Sequence, residues 1–158
     1  RAGIVLPDGS LTGDGVKQRV RQKLLEDCNV HTIVRLPQSV FAPYATVNTN
    51  LIFFEKGKQT KEVWYYEHTL PDGYKAYSKT KPIQISEFDE IKKWWNNRTE
   101  HEFAYKVSID TIAERGYDLD VKNPNKVVEE VSYDRKEIIE TIKKNQNRIT
   151  ELITELEQ

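Results

Sequence analysis

Two strand-like runs, AGIVL at residues 2–6 and VHTIVRLP at residues 30–37, enclose a segment with helical periodicity. Each run is short, apolar in the main and bounded by turn residues, which is the pattern of a buried strand. Between them, PDGSLTGDG holds three glycines and two aspartates and reads as a loop. VKQRVRQKLLEDC then places Val16, Val20, Leu24 and Leu25 on one helical face. A third strand, TNLIFFEKG, follows the loop QSVFAPYATVN and ends at Gly57. Strand–helix–strand order predicts an α/β sheet. A buried parallel strand needs partners on both sides, or its backbone groups stay unpaired. Residues 2–6 are therefore expected either to gain both neighbours from later strands or to belong to a larger sheet, of which this chain is the C-terminal piece.

The remaining sequence divides in two. Residues 58–125 read as a mixed strand and helix extension. KEVWYYEHTL alternates like a strand, Asp72-Gly73 makes a turn, and YKAYSKTKPIQI continues in extended form. Ser86 is placed as the N-cap of a helix over SEFDEIKKWWNNR, with acids early and bases late as the helix dipole prefers. A strand or turn over FAYKVS leads into a short helix ending at Gly116. Residues 126–158 end in a long helix. There Ile138, Ile142, Asn145, Ile149, Leu152 and Leu156 recur in steps of four and three, a heptad seam with one polar position. Such a seam either packs back on its own domain or joins helices of another chain; the second reading is taken here.

Charge and composition narrow the function classes. The net charge of −1 gives the chain as a whole no electrostatic footprint for nucleic acid, so any DNA contact must be local. One cysteine, Cys28, excludes a disulfide framework and fits a reducing cytoplasm. No run approaches the roughly 20 apolar residues of a membrane span. His31, His68 and His101 lie far apart without metal-ligand spacing and are read as structural, and no metal is expected.

Few motifs carry chemistry. The loop around Asp8-Gly9 and Gly13-Asp14-Gly15 lacks a phosphate-binding pattern, although it follows a strand and opens a helix. Lys17, Arg19, Arg21 and Lys23 are spaced two apart on one helix, so they line no single face and read as solvated, with a weak phosphate contact as the alternative. Lys122-Asn123-Pro124-Asn125 superficially resembles the Asn-Pro-Pro-aromatic motif of amino-methyltransferases but lacks its second proline and aromatic, and it is rejected as catalytic. Phe41 lies just past the C-terminal end of a strand. It either plugs the core or offers a face on which an extruded base stacks.

GIVLPDGSLTGDGVKQRVRQKLLEDCNVHTIVRLPQSVFAPYATVNTNLIFFEKG, residues 3–57, strongly resembles the late part of the catalytic domain of adenine-N6 DNA methyltransferases. The nearest likeness is to the modification subunit of type I restriction–modification systems. Residues 115–125 and the C-terminal helix resemble the same subunits. The resemblance implies a Rossmann-like sheet of seven strands with the last antiparallel and inserted between the two before it. Ile4–Leu6 would be the fifth strand, Thr32–Leu36 the sixth and Asn50–Phe54 the seventh. The S-adenosylmethionine loop and the Asn-Pro-Pro-aromatic loop would lie upstream of Arg1. The chain is thus expected to be part of a longer protein, without cofactor or catalytic motifs and inactive alone.

Residue by residue, the resemblance makes Phe41 the target-base stacking residue, with Pro43, Asn48 and Thr49 at the pocket edge. It makes the C-terminal helix the contact for a DNA-specificity subunit, in a complex that also holds a restriction subunit and duplex DNA. The expected activity of the parent is methyl transfer from S-adenosylmethionine to adenine N6. The alternative is a complete, non-enzymatic module that associates through its heptad helix. Self-association through a bare sheet edge is expected of the partial sheet.

Overall fold

A computed structural model describes residues 1–126 and 135–156. The chain divides into two units, Arg1–Lys126 and Val127–Gln158. In the first unit, β1 (Ala2–Pro7) runs into a helical turn, α1 (Asp8–Leu11), and then α2 (Val16–Asp27), β2 (Cys28–Leu36), β3 (Thr49–Lys56) and β4 (Glu62–Glu67) follow. A 3-10 turn at Ile85–Phe88 leads into α3 (Asp89–Asn96), followed by β5 (Ala104–Ser108) and α4 (Ile109–Glu114). The second unit contributes α5 (Arg135–Leu156). Residues 127–134, the start of the expected C-terminal segment, lie outside the described residues.

The five strands form one sheet in the order β1-β3-β2-β4-β5. β3 runs antiparallel to both β1 and β2, β4 runs parallel to β2, and β5 is antiparallel to β4. β1, β2 and β4 therefore point the same way and end at one edge. β1 does not gain both neighbours from the later described strands. It pairs with β3 alone among the described residues, and it alternates between half-buried and exposed positions, with Val5 54% exposed. Ile4 and Leu6 supply its inward face.

Each face of the sheet carries its own core. Val30, Ile33, Ile52, Tyr65 and Tyr105 pack with Leu25 of α2 and Ile112 of α4 on one side. Val34, Leu36 and Tyr66 pack with Ile91 and Trp94 of α3 on the other. In a regular strand, residues three apart face opposite ways. Val30 and Ile33 share one core because β2 shifts register between Val30 and Thr32, leaving His31 as the extra residue of a bulge. Tyr65 and Tyr105 sit opposite each other in register and stack at 5.0 Å. Their hydroxyls donate to the carbonyls of Leu119 (3.1 Å) and Val121 (2.6 Å), pinning that segment to the sheet.

Four local expectations are corrected. The buried face of α2 carries Arg21 and Leu25, while Val16 and Val20 are 67% and 61% exposed. Arg21, read above as solvated, is 5% exposed. Its guanidinium donates to the carbonyls of Tyr117 (2.6 Å), Thr12 (2.8 Å) and Gly13 (2.6 Å), so a charge is buried because its planar fork satisfies three backbone acceptors. Ser86 does not cap the helix. It lies inside the 3-10 turn, which Gln84 caps with its backbone N–H on the Glu87 carboxylate at 2.7 Å, while α3 itself starts after Phe88 with no side-chain cap bond. YKAYSKTKPIQI is not a strand. It folds into turns, held by reciprocal backbone bonds between Ser78 and Lys81.

On α5, Ile138, Ile142, Asn145, Ile149, Leu152 and Leu156 are all exposed. No described helix is long and apolar enough to cross a membrane. The Arg21 contacts set the first expected outcome. Arg21→Met should lower stability by about 2–4 kcal/mol, because buried carbonyls are deprived of a charged donor. Val20→Ala on the exposed face of the same helix should stay within about 0.5 kcal/mol. Urea denaturation midpoints of the two variants check both.

Candidate functional site

The carboxyl edge of β1, β2 and β4 is where an open α/β sheet binds ligands. Because β3 is reversed, its amino end, Asn48–Asn50, arrives at the same edge. A cleft of about 440 Å³ opens there, lined by Asp8, Arg35, Asn48, Asn50, Glu67 and His68 among others. Much of its polarity is already committed. Asn50, 2% exposed, donates its side-chain amide to Asp8 Oδ1 at 2.6 Å, and the Asp8 backbone N–H donates to the Asn48 carbonyl at 3.1 Å. Arg35 pairs with Asp120 at 2.6 Å and donates to the Val121 carbonyl at 2.9 Å.

The β2–β3 loop leaves this cleft at Pro37 and Gln38 and folds into consecutive turns. Val40 N–H donates to Pro37 O, Ala42 N–H to Ser39 O, and Tyr44 and Ala45 N–H both to Phe41 O. Val40 turns inward against the second core, and Phe41 turns out. The Phe41 residue is 42% exposed, so it is not a core plug. Pro43, joined to Ala42 by a cis peptide, is also exposed. Of the four residues assigned to the base pocket, only Asn48 lines the cleft; Phe41 and Pro43 lie on the loop outside it. Thr49 is 4% exposed and donates its hydroxyl to the Val47 carbonyl at 3.2 Å, which fixes the entry into β3.

A second polar cluster adjoins the cleft, and the sequence reading missed it. His68 follows directly on the end of β4 and lines both the cleft and a neighbouring cavity of about 680 Å³. Its Nε2 lies 3.2 Å from the Tyr77 hydroxyl and 3.6 Å from the Glu87 carboxylate, and Tyr77 donates to that same carboxylate. Phe88 stacks on the imidazole at 5.1 Å. Burial holds the His68 pKa below its usual 6.5 against the opposing pull of Glu87. Burial works to raise the Glu87 carboxyl, yet bonds from Tyr77, Gln84 and His68 prevail and hold it below 4.5. Tyr77 is raised by burial and by Glu87. The only hint in the sequence is the place of His68 at a strand's carboxyl end; its partners lie 9 and 19 residues away in a segment without periodicity.

Other polar groups near the sheet have structural roles. Arg98 lies over the Trp95 ring at 4.8 Å and donates to the His31 carbonyl at 3.2 Å. Asn123 accepts from the Asn125 N–H, while both side-chain amides donate to carbonyls at the start of β5 and just before it, so Lys122–Asn125 ties down chain. Among the described residues, no group of His, Cys, Asp or Glu is arranged to hold a metal ion.

Residues 1–132 match the family described as N-6 DNA Methylase. The chain is 48% identical to the methylase subunit of the type I restriction enzyme EcoEI from Escherichia coli, over 99% of this chain and 33% of that subunit. It is 29% identical to the EcoKI methylase subunit of Escherichia coli K12, over 72% of this chain and 24% of that one. A solved modification subunit from Vibrio vulnificus YJ016 superimposes with a TM-score of 0.73 at 45% identity, covering 78% of this chain and 27% of the other. A chain from a structure of type I R-M complex assembly gives 0.75 at 38% identity, over 98% and 34%. The chain thus spans about a quarter to a third of the length of these relatives.

The lowered His68 pKa fixes a pH dependence. The unfolded chain binds the proton first as pH falls below 6.5, so stability drops there and levels off only below the lowered native value. His31, also lowered, by burial and then by Arg98, acts in the same direction. Glu87 acts in a separate window. Its contribution is present above 4.5 and is lost as pH falls through its lower native value. Denaturation at pH 7.5 and pH 5.5 should show lower stability at the acid end, and His68→Gln should shrink that difference.

Proposed function

Because the chain belongs to the N-6 DNA methylase family, we propose that it is the C-terminal part of a type I modification subunit. That subunit transfers a methyl group from S-adenosylmethionine to adenine N6 in duplex DNA. The observation that carries this reading is the exposed Phe41 ring, held on a turn-locked loop at the carboxyl edge of the sheet. The reversed β3 between β1 and β2 agrees with the last three strands of a Rossmann-like methyltransferase sheet. The outer edge of β1 is where the earlier strands of that sheet would pair.

In this reading, adenine leaves the DNA stack and lies against Phe41. Stacking holds the base without reading it, so chemical recognition falls to other residues. Pro43 shares the turn-locked loop with Phe41, Asn48 supplies the cleft edge next to that loop, and Thr49 fixes the entry into β3 through its bond to Val47. S-adenosylmethionine supplies the methyl group. We assign it no holding residue in this chain, because Asn50 and Arg35 in the cleft are already engaged with Asp8 and Asp120. The groups that bind the cofactor and polarise the adenine amine belong to the rest of the subunit, and this chain alone is inactive. The complex works in the cytoplasm with a specificity subunit that chooses the DNA sequence and a restriction subunit that cuts.

The exposed stripe of α5 supports the contact with the specificity subunit. It equally suits the interaction-module reading, so partner binding by α5 is common to both. Asn145 within the stripe would set its register.

Two experiments test these assignments. In the intact subunit, Phe41→Ala should lower kcat/KM for DNA methylation by the equivalent of about 1–3 kcal/mol of stacking energy, and Phe41→Trp should restore it. Fluorescence of 2-aminopurine at the target position reports base capture directly. Unchanged kinetics in Phe41→Ala would remove Phe41 from the base site. Ile149→Asp should abolish co-purification with the specificity subunit while the thermal transition of the sheet unit stays in place; retained binding would clear α5 of that role.

A further inference from the structure

We propose that the turn-rich segment of residues 72–81 is a DNA-backbone contact, in which Lys75, Lys79 and Lys81 grip phosphates flanking the target base. The proposal rests on the reading of Phe41 as the base-stacking residue. The net charge of −1 requires that any DNA contact be local, and this segment concentrates positive charge, with three lysines against the single Asp72. All three lysines are exposed, and none forms an ion pair among the described residues. Lys23, Lys92, Lys93, Lys106 and Lys126 each have a carboxylate partner, and Lys56, Lys58 and Lys61, at the opposite edge of the sheet, are exposed and without an ion pair among the described residues.

The segment is also fixed to the loop that bears Phe41. Tyr77, 2% exposed, lies between Lys75 and Lys79, and its backbone N–H donates to Ser39 Oγ at 2.8 Å. Its hydroxyl is anchored on Glu87 and His68. Lys79 occupies the turn closed by Ser78 and Lys81, and Lys81 Nζ lies 5.3 Å from the centre of the Tyr74 ring. The nearby acids do not oppose the lysines freely. Glu87 is engaged by Tyr77 and Gln84, and Asp89 and Glu90 are paired with Lys92 and Lys93. Extruding a base displaces its flanking backbone, which must then be held without regard to sequence. Lysines, as mobile point charges, suit phosphates in that role.

The test uses the intact subunit assembled with its specificity subunit on a duplex carrying the target site. The dissociation constant is measured across a salt series for K75Q/K79Q/K81Q. The control is K56Q/K58Q/K61Q, which makes the same charge change at the opposite edge of the sheet. The first variant should flatten the slope of log affinity against log salt by about 0.9 for each phosphate no longer neutralised, on target and non-target duplexes alike. The control should keep the parental slope. An unchanged slope in the first variant, an equal change in the control, or failure to assemble with the specificity subunit would each overturn the proposal. Phe41→Ala in the same assay separates the two readings. If its base capture is normal while the lysine slope still falls, the base-site reading fails and the phosphate contact stands.

Discussion

The reversed strand β3 sets the geometry on which everything else at the functional edge depends. It enters between β1 and β2 with its amino end at their carboxyl ends, bonded to both along its length. Asn48 and Asn50 thereby reach a cleft that parallel connections alone would line only with strand ends. This insertion requires a long β2–β3 loop at the same edge, and the chain fills it with turns. Four backbone bonds between Pro37 and Ala45 leave Val40 facing in and Phe41 facing out. A side chain for stacking needs that rigidity, because a mobile ring would lose on ordering what it gains on contact.

Around that edge the structure uses buried charge sparingly and gives each guanidinium carbonyl or carboxylate partners, with Arg35 Nε left unpaired among the described residues. Arg21 replaces an apolar contact on α2 with three carbonyl bonds, one of them to Tyr117, 96 residues away in sequence. Arg35 does similar work for Asp120 and Val121. Together with the tyrosine pair in β4 and β5, these arginines draw residues 117–121 under the sheet. The His68–Tyr77–Glu87 cluster does the same for the segment after β4. Side chains with several donors or acceptors thus order stretches of backbone that have no ladder of their own.

How much of this was legible varies by element. The strands over 2–7, 49–56 and 62–67 are visible because short apolar or alternating runs are flanked by Gly, Pro and Asp. The short helix ending before Gly116 is legible for the same reason. The face of α2 was misread because valine spacing suggested a core stripe, and nothing local marks Arg21 as buried; its acceptors come from Thr12, Gly13 and distant Tyr117. The turns of residues 74–85 were hidden because Tyr, Lys, Thr and Ile in alternation imitate a strand, and only the bond to Ser39 and the Glu87 cluster select the folded form. Phe41 was located by its position after a strand. Its outward orientation depends on turns that no pattern announces.

The bulge at His31 has a consequence for comparing chains of this family. It lets β2 serve one core with Val30 and Ile33, and so it makes strand length and packing interdependent. A homologue lacking that one residue would turn Cys28–Val30 over relative to α2 unless the preceding connection changed too. A single-residue gap at this point in an alignment therefore marks a repacked helix, not drift in a loop.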